Sequence, residues 1–203
     1  FMLTYEGRKP CILAGGATMD SLPPELQDLE AIADPLERRL YFVALLSNAL
    51  GPEGKDVVVV GGQALQFYTA GAYATADVDL VCVSRPSAVE VLNRWGFKRE
   101  GRHWQQQRLE LLVEIPDEGL AGDPARVNEI ELRGLTLRII GVEDLIADRL
   151  RAAVHWGSLE DRYWASNLLA SKGNSLDWEY LRKQAERDGT GRLLTELEAQ
   201  ISA

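Results

Sequence analysis

The chain has 203 residues, 46% of them hydrophobic and 26% charged, with a formal net charge of −9. That length and balance suit a globular protein of one domain, or one domain with a helical appendage. The acidity argues against broad non-specific binding to nucleic acid, which needs Lys and Arg to displace counterions, and no apolar run approaches the ~20 residues that span a bilayer.

Residues 2–33, with Pro23-Pro24 and several glycines, read as an irregular arm. The N-terminal stretch has no basic segment followed by a long apolar core, which argues against secretion and predicts a cytoplasmic protein. Cys11 and Cys82 form no zinc cage by themselves, and neither His103 nor His155 stands at ligand spacing from them. Cys82 lies in an apolar strand pattern, as a buried reduced thiol does. Asp34-Pro35 opens a helix reaching about Leu50, because Asp caps and Pro suits the first helical position. Leu36, Leu40, Val43, Leu46 and Leu50 form its apolar stripe. After "GPEG", Val57 to Val60 reads as a short, β-branched central strand.

Gly62 to about Thr69 reads as a helix, Ala76 to Val83 as a second strand and Pro86 to Trp95 as a second helix. "RWGFKREGR" offers a local basic patch, although a solvated loop is the plainer reading. "GRHWQQQRLELLVEI" predicts two short strands or one bent one, and "EIELRGLTLRII" a hairpin around Arg133-Gly134. After Gly141 the pattern turns helical: Val142, Leu145, Ile146, Leu150, Ala153 and Val154 share one stripe. Further helices are predicted around 160–171, 177–188 and 191–201. The organisation expected is an α/β unit over residues 1–141 and a helical part over 142–203.

"VVVVGGQALQFYTAGAYATADVDLVCV" (Val57 to Val83) poses the functional question. Within the second strand Asp77 and Asp79 point to one face, roughly 6.6–6.8 Å apart along the chain, while Val78, Leu80 and Cys82 take the other. An isolated Asp-x-Asp is more often a solvated strand face than a site. Two carboxylates converging beside a third, however, make a site for Mg²⁺, and two such ions about 3.5–4 Å apart clamp the oxygens of a phosphoryl displacement. Gly61-Gly62, between strand and helix, lets the backbone approach a phosphate at the helix N-terminus. Neither a dinucleotide fingerprint nor a G-x-x-x-x-G-K-[ST] loop is present.

"VVVVGGQAL" followed by "YATADVDLVCV" resembles the nucleotidyltransferase superfamily of the DNA polymerase β type. Within it the chain resembles the minimal bacterial and archaeal members, including toxin-like members of toxin–antitoxin pairs. The resemblance covers about residues 36–170. It implies a nucleotidyltransferase fold, α/β (α+β), with a mixed sheet flanked by helices and a helical C-terminal part. It further implies transfer of a nucleoside monophosphate from an NTP to an acceptor, with two Mg²⁺ ions held by Asp77, Asp79 and a third carboxylate. "RLELLVEIPDEGLAGD" offers Glu110 and Glu114 for that third place, predicted on one strand face, and Glu114 is preferred. Gly61, Gly62, Gln63 and Thr75 would line the nucleotide. "IIGVEDLIADRLRAAVHWGSLEDRYWASNLL" resembles the family's downstream helices, which puts Arg149 at the usual Lys and Asp161 at the acid. An Arg burying its stem on the edge of the apolar stripe is an equal alternative for Arg149. One departure is Ala74, where many relatives carry Arg before the Thr.

Other constellations are weaker. Neither His has an obvious Ser or Asp partner for a hydrolytic triad. Trp95, Trp104, Trp156, Trp164 and Trp178 read as packing residues rather than a stacking platform. A metal-dependent enzyme is therefore the first expectation. The alternative is an inactive nucleotidyltransferase-fold binding module, such as one half of a toxin–antitoxin pair with a protein partner encoded nearby. The acceptor stays open among protein, RNA and small molecule, with long RNA disfavoured by the acidic charge.

Overall fold

In a computed structural model, which describes residues 22–116 and 119–201, the chain folds as a mixed α/β protein. Most of the 2–33 arm, Cys11 included, lies outside the described residues; Pro24–Ala31 forms a 3-10 helix whose Leu26 and Leu29 are fully buried. The first α-helix, α1 (Pro35–Ala49), starts where Asp34-Pro35 places it. Asp34 Oδ1 accepts from the N–H of Leu36 (2.7 Å) and Glu37 (2.9 Å), satisfying two donors that the helix cannot satisfy itself.

The next elements are β1 (Val57–Val59), α2 (Gly61–Tyr68), β2 (Asp77–Cys82), α3 (Arg85–Arg94), β3 (Lys98–Glu100), β4 (His103–Gln106), β5 (Leu111–Glu114), β6 (Asn128–Leu132) and β7 (Leu135–Ile139). They form one seven-stranded sheet in the order β3-β4-β5-β2-β1-β7-β6. β1 runs antiparallel to β2 and parallel to β7, and β2 runs parallel to β5. Val57 and Val59 are completely buried, as a strand inside a covered sheet requires.

The "GRHWQQQRLELLVEI" stretch resolves into β4 and β5, paired antiparallel and joined by a 3-10 turn at Gln107–Leu109. The turn corrects one expectation. Glu110 is not on a strand: it sits at φ +53° in the left-handed region, exposed, and so shares no face with Glu114. The basic stretch contributes the edge strand β3, whose Lys98, Arg99 and Glu100 are all exposed. Charged side chains on a short edge strand discourage pairing with other chains.

From Val142 onward the described chain is helical: α4 (Val142–His155), α5 (Leu159–Lys172), α6 (Trp178–Arg187) and α7 (Gly191–Ile201), with a 3-10 turn at Gly173–Ser175. Leu145, Ile146 and Leu150 of α4 are completely buried and belong to the same apolar cluster as the sheet valines. No described helix is long and apolar enough to cross a membrane. Trp95 and Trp104 are core residues, and Trp164 and Trp178 pack partly buried against the core. Trp156 departs from the packing expectation, being 79% exposed just beyond α4.

Candidate active site

Antiparallel pairing of β1 with β2 brings the C-terminal end of β1 level with the start of β2, and the Val60 N–H donates to the Asp79 carbonyl at 3.0 Å. Gly61-Gly62 therefore lies beside Asp77 and Asp79. β5 continues the row: Asp79 is level with Glu114, and on the far side of β5 Glu114 is level with His103 of β4. Strand alternation does the rest. Val78, Leu80, Leu111, Val113 and Trp104 turn inward, leaving Asp77, Asp79, Leu112, Glu114, His103 and Gln105 half-buried on the opposite face.

Helix α2 follows Val60, whose side chain offers no cap acceptor. Asp79 supplies the cap from the neighbouring strand: its Oδ2 accepts from the Gly62 N–H at 2.8 Å. Gly61 adopts φ +55°, and a Cβ there would stand 2.5 Å from Asp79 Oδ2. A side chain at 61 is thus doubly excluded, by backbone strain and by the carboxylate. The helix N-terminus expected to cradle a phosphate is held here by the protein's own anion. Burial pushes the Asp79 carboxyl above its ordinary range, and the charges of Asp77 and then Glu114 push it further; the Gly62 and Gln63 N–H groups oppose the shift.

Asp77 has a different partner, the Thr75 hydroxyl, which donates to its Oδ1 in a short hydrogen bond. Glu114 Oε2 meets Arg102 Nε at 3.3 Å and His103 Nε2 at 3.4 Å. Asp77, His103 and Glu114 each offer a ligand atom, all lying within 4.8 Å of one another. These donors fit a divalent cation: two are hard carboxylate oxygens on a face already crowded with negative charge. Asp79 lies beside this group in the same row, with its Oδ2 turned to the helix.

Gln63 is brought close only through its backbone. Its side chain is fully buried on the core side, where Oε1 accepts from Arg39 Nε at 2.7 Å; Gln66 holds the same guanidinium at 2.7 Å. Arg149 and Asp161 stand together: the guanidinium donates to Asp161 Oδ1 at 2.8 Å and to Asp148 Oδ2 at 2.6 Å. Burial by itself would lower the Arg149 pKa, but Asp148 and Asp161 outweigh it and hold the group above its ordinary value.

Three residues near the site were not singled out from the sequence. His103 and Arg102 reach Glu114 only through the β4–β5 register. Tyr73 lies against Gly62, where a Cβ would stand 3.3 Å from its Cε1, and meets Trp164 of α5 edge to face at 5.3 Å. Burial, then Glu160, pushes the Tyr73 phenol up, with Asp79 and Asp77 adding to this and Arg149 opposing it. Tyr73 is therefore within electrostatic reach of both the acid row and Arg149.

No family model matches the chain, and no curated protein matches it. Among solved structures it is similar to the solution structure of the antibiotic-resistance factor ANT(2'')-Ia, an aminoglycoside nucleotidyltransferase. The match has a TM-score of 0.50 at 14% identity and covers 81% of this chain and 95% of that one. At that identity the likeness shows the fold, which is nucleotidyltransferase-like.

Proposed function

We propose that the chain is a metal-dependent nucleotidyltransferase that moves a nucleoside monophosphate from an NTP to an acceptor hydroxyl or phosphate. The observation that carries this reading is the row of Asp77, Asp79 and Glu114 on one sheet face, beside Gly61-Gly62, in a nucleotidyltransferase-like fold. Two Mg²⁺ ions held by these carboxylates would neutralise the triphosphate and stabilise the attacking and leaving oxygens. The Thr75 hydroxyl fixes the orientation of Asp77. The Gly61, Gly62 and Gln63 backbone receives a phosphate when Asp79 turns away from the helix. Glu114 takes the acceptor's proton on an Oε atom as the new oxygen–phosphorus bond forms and pyrophosphate departs. Arg149, oriented by Asp161, offsets negative charge on the phosphates.

Calorimetric titration with ATP, GTP, CTP and UTP, in Mg²⁺ and in chelator, tests the first half. Binding of one or more nucleotides is expected in Mg²⁺ and none in chelator; equal binding in both would sink the metal-bridged reading. Transfer of label from α-labelled NTP in a cell extract tests the second half. Asp77→Asn with Asp79→Asn should abolish transfer, because the amide keeps the shape but lacks the charge that holds the cation.

A second reading, an inactive binding module such as one half of a toxin–antitoxin pair, is favoured by a specific surface. Val154, Trp156, Leu159 and Tyr163, around the α4–α5 turn, are 43%, 79%, 81% and 60% exposed. Exposed large apolar side chains so close in sequence suit a protein partner. This reading wins if the wild-type chain labels nothing while capturing a partner that the double Asn variant also captures.

A further inference from the structure

His103 lies at the β4 end of the Glu114 row, and the nucleotidyl-transfer reading gives it no task. Its Nε2 faces Glu114 Oε2 at 3.4 Å, its side chain is 23% exposed, and its ligand atom falls within the 4.8 Å group that includes Asp77. Around a six-coordinate cation with bonds of about 2.1 Å, neighbouring ligand atoms sit about 3 Å apart and opposite ones about 4.2 Å. Side-chain rotations moving these atoms by about an ångström would close the group around one ion. Arg102, which also meets Glu114 at 3.3 Å, has a side chain 72% exposed and is free to swing into solvent.

We propose that His103 is a nitrogen ligand of one of the site's two cations, the one between Asp77 and Glu114, and that this ligand turns that position from Mg²⁺ toward a first-row transition cation such as Mn²⁺. The proposal rests on the acid row being a metal site, as the reading above has it, and adds the identity of a ligand and of the metal. The chemistry is direct. Mg²⁺ takes oxygen ligands and gives up water reluctantly, whereas Mn²⁺ also favours carboxylates but, as the lowest member of the first-row series, gains more than Mg²⁺ does from one added nitrogen ligand. Two carboxylates and one imidazole leave positions on a six-coordinate ion for triphosphate oxygens. The competing role for His103 is a simple ion pair with Glu114, which predicts no contact with a metal.

The test uses the untagged full chain with Mn²⁺ alone, its binding counted by electron paramagnetic resonance and its ligands read by electron spin-echo modulation. The expected result is imidazole ¹⁴N modulation in the wild type, lost in His103→Gln and retained in His155→Gln, the latter altering the chain's other histidine. His103→Gln should also weaken Mn²⁺ about tenfold while Mg²⁺, measured by competition, moves much less. Bound Mn²⁺ without ¹⁴N modulation, or an unchanged Mn²⁺ to Mg²⁺ preference in His103→Gln, overturns the proposal. The nucleotidyl-transfer reading survives that outcome provided that nucleotide binding still requires metal. If Asp77→Asn holds Mn²⁺ as well as the wild type, the cation binds elsewhere and both readings fall together.

Discussion

Asp79 does two things at once: it caps a helix whose own preceding residue cannot, and it carries a negative charge among others in a half-buried row. The first stabilises the fold and the second opposes it. Because burial and the charges of Asp77 and Glu114 raise its pKa, the folded chain binds the Asp79 proton more tightly than the unfolded chain does. Linkage then fixes the sign: this carboxyl makes the fold less stable as pH rises from its ordinary value through the raised one, and the penalty is complete above that window. Asp79→Asn keeps an oxygen for the Gly62 N–H and removes the charge. In chelator, urea denaturation should show the variant more stable than the wild type at pH 7, with the advantage shrinking to nothing as pH falls below the ordinary carboxylate range. An advantage that does not change with pH would show that the folded chain holds the Asp79 proton no more tightly than the unfolded chain does. The cap is also the reason that the sequence conceals this role. Its acceptor and donor lie 17 residues apart on different elements, so no local cap pattern marks it. The alternation of Asp77-Val78-Asp79-Leu80, by contrast, is a local period of two and was legible as one polar and one apolar face.

At the scale of elements, α4 and α5 are joined by a charged contact. Arg149 reaches across to Asp161, itself in the first turn of α5, where Ser158 Oγ accepts its N–H at 3.2 Å. The side chains of Arg149 and Asp161 are only 18% and 20% exposed, so neither charge is fully solvated if the other is removed. Removing one partner of such a pair costs more than the pair itself contributes. Arg149→Met is therefore expected to lose about 2–4 kcal/mol of stability, and adding Asp161→Asn should recover part of it. A change below about 0.5 kcal/mol would mean that Asp161 and Asp148 find water easily. The double variant also isolates function: if it folds and binds nucleotide as the wild type does, Arg149 ties helices together and neutralises no phosphate. The helical stripe placed Arg149 at the border of the buried face, where it is, but carried no sign of its partners. His103 and Glu110 show the same limit from the other side. Which acid meets which histidine depends on the turn at Gln107–Leu109, and one residue at φ +53° moves Glu110 off the strand altogether. Strand periodicity cannot register such a break.

Across the whole molecule, the change from mixed elements to helices at residue 141 marks a change of pattern, and we propose that it is not a boundary between separately stable parts. Leu145, Ile146 and Leu150 of α4 are 0% exposed and share one cluster with Val57, Val59, Leu137 and Ile139 of the sheet. Burying each of those three side chains contributes roughly 1.5–3 kcal/mol, or about 4.5–9 kcal/mol together. Set against a typical net stability of about 5–15 kcal/mol for a domain, their loss would remove a large share of the margin. The full chain is expected to unfold in a single cooperative transition seen alike by tryptophan fluorescence and far-ultraviolet circular dichroism. Leu150→Ala should lower its stability by about 2–5 kcal/mol and shift both signals together. A chain ending at Gly141 should show no cooperative transition and should expose the side of α2 that packs against α4. If that shortened chain instead melts cooperatively, or if the two signals of the full chain separate, the α/β unit is a domain in its own right. The acid row would then be supported by the sheet and α2 alone, and the helices would be free to move relative to it.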